Sequence, residues 1–226
     1  MINRVGLLRK DCATSRNLRT AFRMYESRSS KNASASFHDQ WCHQDVEIEM
    51  IGAWDTVKAL GIDYPLLSRL APMATDFHDD AIGNPVKNGF HAIALQETRS
   101  AYSAVLWDTK PDWQGNLEQV WFRGAHSDVG GHVGSFPAAR RLSNIPLVWM
   151  LERVVRCGLK LPSDWRDRFP MDPEAPMVGS MRGISKFFLF RERRTVGQKP
   201  NEYLHHTTYD LFEGKELPIE VQKHVR

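Results

Sequence analysis

The sequence predicts an α/β fold built on a mainly parallel sheet, and three observations lead there. Two apolar stretches, "VEIEMIGAWDTV" and "LEQVWFRGAH", read as strands that run into short polar turns. Each is followed by a loop and a stretch with helical periodicity, the alternation that parallel sheets with covering helices require. The composition, 42% hydrophobic and 25% charged over 226 residues, suits one ordinary globular unit.

In chain order, "MINRVGLLRK" reads as the last turns of a helix with a glycine exit. Thr14 or Ser15 caps a second helix whose Leu18, Ala21, Phe22 and Tyr25 recur at helical spacing. "SRSSKNASASFHDQ", rich in small polar residues, is expected to be a solvated loop. Val46, Ile48 and Met50 alternate with Glu47 and Glu49 before the strand turns wholly apolar or small, with Asp55 just past its end. Asn84 and Pro85 suggest a helix start, with Val86, Phe90, Ile93, Ala94 and Glu97 on a helix ending near "ETRSAY".

The second strand then delivers His126 just past its end, and Ser143 is expected to cap a helix carrying Leu147, Val148, Leu151, Val154 and Val155, stopped by Gly158. Residues 159–185 are Pro-rich and irregular, an insertion or lid on a single unit spanning 1–226. "ISKFFLFRERR" fits either a lipid headgroup surface or a buried element with a solvated basic end.

Bulk properties exclude several classes. Thirty Lys and Arg against twenty-seven Asp and Glu, with no like-charge block, do not imply nucleic acid. Cys12, Cys42 and Cys157 form no CxxC pair and fit buried thiols in a reducing compartment. No segment approaches the roughly 18 apolar residues of a spanning helix, and no secretory signal is present, so synthesis in the cytoplasm is expected.

Asp55 and His126 are the candidate catalytic residues. An aspartate that orients a histidine, which in turn deprotonates a nucleophile, is the logic of nucleophilic hydrolysis, and acid before histidine is the α/β-hydrolase order. Asp55 as a helix cap and His126 as a support for the glycine turn are the structural alternatives. No G-x-S-x-G elbow occurs. Gly179, Ser180 and Gly183 are wrongly spaced, Ser135 shares the His126 loop, and Ser15 has neither strand nor glycines before it. His126, Asp128 and His132 form a weaker H-x-D-x-x-x-H metal set, with His78, Asp79 and Asp80 as a second cluster; neither matches a recognised metal signature, and no cofactor is expected.

"IGAWDTVKALG", "GFHAIALQETR", "VWFRGAHSDVGGH" and "LSNIPLVWMLE", in this order, resemble the catalytic domain of type VI secretion phospholipase effectors of the first lipase-effector family. The likeness runs from residue 1 to about residue 155, and faintly to "YLHHTTYDLF". It implies an α/β-hydrolase fold, a Ser-Asp-His mechanism on phospholipid esters, Asp55 as triad acid and His126 as base. It further implies export by type VI secretion. In the family a G-F-S-R-G-A type elbow precedes the helix whose tail resembles "VGLLRK". The elbow serine and first strands are therefore expected upstream of Met1, supplied by a preceding segment or a partner chain. The alternative is a non-catalytic remnant or binding protein.

Overall fold

A computed structural model describes residues 1–27, 30–57, 81–212 and 222–223. The chain opens with α1 (Ile2–Val5), α2 (Ser15–Glu26) and α3 (Lys31–Trp41). The helix tail and glycine exit expected at the start are there: α1 ends on Gly6 at φ 104. Thr14 Oγ1 caps α2 by accepting the Asn17 amide at 3.2 Å. Of the expected apolar face, Ala21 is buried, whereas Leu18 and Phe22 stay about half exposed.

The expected loop at 27–40 is instead largely α3. Ser30 supplies a side-chain cap to Ala33, and Phe37 packs with Val5, Ala21 and Cys42 in a small core of its own. Small polar residues that read as a loop here let a helix lie close to α1: a Cβ on Gly6 would come within 2.5 Å of the His38 ring.

The main sheet contains β1 (Ile48–Trp54), β3 (Val86–Ala94), β5 (Asn116–Phe122), β6 (Glu202–Leu204) and β7 (Gln222–Lys223), in that spatial order and parallel throughout. Between them in sequence lie β2 (Ala81–Ile82) and β4 (Asp108–Thr109), which form a separate parallel pair. The α/β class expected from the sequence is what the chain adopts.

The segment expected as a helix from Asn84 is β3. Its Phe90, Ala92 and Ala94 pack toward the core shared with Val120, Phe122, Leu142 and Trp149, while Ile93 joins Trp121, Leu106 and Leu204. A central strand covered on both faces is apolar almost continuously, so i, i+4 coincidences arise without any helix.

After β5 come α4 (His126–Val129) and α5 (Arg140–Arg156). Ser143 does not cap α5. A 3₁₀ turn at Pro137–Ala139 runs directly into the helix three residues earlier, and Ser143 is buried within it. Gly158, at φ 94, follows the helix end as expected. Residues 159–182 contain no helix or strand and are fastened to the body: Arg123 donates to the Pro173 and Ala175 carbonyls, and Ala175 enters the core. Among the described residues no helix is long and apolar enough to cross a membrane.

Candidate functional site

Asp55 follows β1 directly, at φ 45, the one non-glycine residue with positive φ among those described. Its amide donates to the Ala92 carbonyl at 2.7 Å, which turns the side chain across the end of β3. The carboxylate is fully buried. Oδ1 accepts the Ala94 amide at 2.8 Å and an Nη1–H of Arg194; Oδ2 accepts Arg194 Nη2 at 3.0 Å and lies 2.6 Å from His126 Nδ1. Burial by itself would raise the Asp55 pKa. The hydrogen bonds from His126 and Arg194, the Arg194 charge and the Ala94 amide outweigh it and hold the carboxyl below its ordinary value.

His126 is the first residue of α4, and β5 delivers it through Arg123, Gly124 and Ala125. With Oδ2 a charged acceptor, Nδ1 carries the proton and donates, which leaves Nε2 as the basic nitrogen. The side chain is 30% exposed, and among the described residues nothing hydrogen-bonds Nε2. The ring meets Tyr102 edge-on at 4.9 Å.

Glu97 holds the histidine backbone. Its Oε2 accepts the His126 amide at 3.2 Å and Arg99 Nη2 at 2.7 Å; its Oε1 accepts the Thr98 and Arg99 amides and Arg99 Nε. Burial opposes ionisation of Glu97, but Arg99 and these amides keep its pKa below the ordinary value. Arg99 also lies 3.7 Å above the Tyr102 ring, so the ring beside His126 is itself held in place.

Asp128 is spent on structure. Its carboxylate accepts the amides of Ala125 at 2.9 Å, Val178 at 2.6 Å and Gly179 at 3.1 Å, tying the irregular 159–182 segment to the turn that presents His126. His132 is exposed, and among the described residues no three His, Cys, Asp or Glu side chains converge as metal ligands. The expected set His126, Asp128 and His132 is therefore not brought together; His78, Asp79 and Asp80 lie outside the described residues. Ser180 Oγ is engaged by Thr98 at 2.8 Å, Ser135 is exposed, and neither hydroxyl is hydrogen-bonded to the imidazole.

The two expected residues, seventy-one positions apart, thus meet, and four others were missed. Arg194 sits in a basic run whose sequence gives no sign that one guanidinium turns inward. Glu97, expected on a helix face, instead lies just past the end of β3. His91 and Gln119 lie inside strands: His91 Nε2 accepts the Thr56 amide at 3.0 Å, just after Asp55, and its Nδ1 is 3.4 Å from Gln119 Oε1. Burial lowers the His91 pKa to about 4, so this imidazole is neutral and serves to fix the turn.

A parallel α/β sheet with a buried carboxylate bonded to a half-exposed imidazole, both just past strand ends, has the layout of a hydrolytic enzyme's acid–base pair. The chain belongs to the family described as T6SS phospholipase effector Tle1-like, catalytic domain, whose pattern matches residues 1–153. Asp55, Glu97 and His126 fall inside the matched span and Arg194 outside it. No curated protein and no solved structure gives a significant match.

Proposed function

We propose that Asp55 and His126 are the acid and base of a Ser-Asp-His ester hydrolase acting on phospholipids. The observation that carries this reading is the 2.6 Å contact between His126 Nδ1 and Asp55 Oδ2, in an imidazole whose side chain stays 30% exposed. In the reaction Nε2 takes the proton of a serine hydroxyl as its oxygen attacks the acyl carbon. The resulting imidazolium is stabilised by the buried Asp55 carboxylate and then protonates the departing alcohol; a water repeats the cycle on the acyl-enzyme.

The serine belongs, in this proposal, to a segment or partner chain outside these 226 residues. Two observations support that. No described hydroxyl is bonded to Nε2, and β1 stands at the sheet edge, paired among the described residues with β3 alone. A strand added at that edge would end beside Asp55, where an elbow serine is needed. Phospholipid as substrate and delivery by type VI secretion rest on the family.

A fluorophosphonate probe tests the assignment. The 226-residue chain is expected to show no labelled serine, and labelling of any one overturns the external nucleophile. Joined to the in-frame sequence upstream, the chain should label at one serine and release fatty acid from phospholipid vesicles. His126→Ala should then cut release by roughly 10³-fold or more. Release that survives this substitution removes the base role, and absence of release from the joined protein favours the non-catalytic alternative.

A further inference from the structure

The segment "MRGISKFFLFRER", residues 181–193, supplies no side chain to the Asp55–His126 pair and none to the core; only the next residue, Arg194, reaches Asp55. It is instead built to keep large apolar side chains in water. Met181, Phe187, Leu189 and Phe190 are 57%, 74%, 83% and 69% exposed. Soluble surfaces rarely present such a cluster without a partner.

The exposure is not that of a loose loop, because other side chains of the same stretch are anchored. Phe188 turns inward to meet Tyr102 edge-on at 5.6 Å. Arg191 donates to the Ser180 and Ser185 carbonyls and to Thr98 Oγ1, and Arg194 is held on Asp55. The backbone is stitched to the strand-end region by Ser100 N to Phe190 O at 3.1 Å and Glu192 N to Thr98 O at 2.7 Å. With the inward positions fixed, the outward ones form a defined strip.

Its charge identifies the occupant. Arg182, Lys186 and Arg193 are exposed in the same segment, and Glu192 is its single acid. Aromatic and aliphatic groups ringed by cations complement an anionic lipid surface, where rings and alkyl groups enter the interface and the cations meet phosphates. A second copy of the chain would bring the same cations against one another.

We propose that the exposed strip at residues 181–193 is a docking surface for a bilayer containing anionic phospholipid. Phe188 on Tyr102 and Tyr102 on His126 put that strip two ring contacts from the imidazole, so docking would set the site at the lipid interface. The significance of that placement rests on the phospholipid reading above, but the binding itself does not.

Sedimentation with vesicles tests it on the full chain, using phosphatidylglycerol mixed equally with phosphatidylcholine and, separately, phosphatidylcholine alone. The wild-type chain should partition onto the anionic vesicles at least tenfold more strongly than onto the neutral ones. Phe187→Asp with Phe190→Asp should lower that partition by tenfold or more, and Lys186→Glu with Arg193→Glu should abolish the preference for the anionic vesicles. These are exposed positions, and unchanged thermal melts will show that the variants stay folded. Wild-type partition no stronger than that of the Phe187→Asp, Phe190→Asp variant overturns the proposal. So does a wild-type chain that self-associates through this strip, with the variant monomeric and vesicles unbound. Vesicle binding without ester hydrolysis would count against the proposed function and leave the docking surface standing.

Discussion

Arg194 shares with His126 the task of keeping Asp55 ionised. A carboxylate with no solvent exposure keeps its charge because His126 donates to it and a guanidinium fork spans both its oxygens while also donating to the Ala94 and Tyr102 carbonyls. Arg194→Met keeps the stem and removes the charge, leaving Asp55 with only His126 and the Ala94 amide. Breaking a buried pair from one side costs about 3–5 kcal/mol. Chemical denaturation should show a loss of this order, and Arg194→Lys a smaller one. A loss within the scatter of the measurement would mean that Asp55 does not depend on the guanidinium. At this scale Asp55 and His126 were legible, because strand ends are visible as the places where apolar runs stop. Arg194 was not, because which of several adjacent arginines turns inward is decided by packing.

The turn from β5 into α4 is the element on which His126 depends, and Gly124 is its critical residue. Gly124 has φ 113, and a Cβ there would lie 2.6 Å from the Asp128 Cβ. Gly124→Ala therefore combines backbone strain of about 1–3 kcal/mol with displacement of Asp128. Hydrogen exchange reads the consequence: the Val178 and Gly179 amides, which Asp128 accepts, should exchange faster along with the loss of stability. Unchanged protection at both would show that the Asp128 clamp does not need the glycine. The strands β1 and β5 were readable from their own residues. β3 was mistaken for a helix because it is central and apolar on both faces. α3 was mistaken for a loop because its small polar residues gain their helical form from packing on α1.

Over the whole molecule, the pH dependence of stability follows from the buried groups around the site. The His91 pKa is lowered from 6.5 to about 4 by burial. The unfolded chain therefore takes up a proton below about pH 6.5 that the folded chain refuses, so stability declines as pH falls from about 6.5 to about 4. The full decline from this one group is about 3 kcal/mol. Asp55 and Glu97 have lowered pKa values, so their contribution is present above their ordinary values and is lost only as pH falls through the folded ones. Denaturation midpoints at pH 7 and pH 4.5 should differ accordingly. His91→Gln, which keeps a neutral acceptor for the Thr56 amide, should flatten the difference, and an unaltered pH slope would place the titration elsewhere.

From its residues alone this chain was legible as an α/β protein, in its family and in the acid and histidine at two strand ends, since periodicity and local motifs are short-range properties. Tertiary structure alone decided that β3 is the strand between them and that Arg194 and Glu97 brace the pair. It also decided that Asp128 is structural and that the 181–194 segment turns its apolar side chains outward. Each of these depends on what lies across the sheet or beyond a long loop. Burial and charge pairing are properties of that surrounding, which no local stretch of sequence contains.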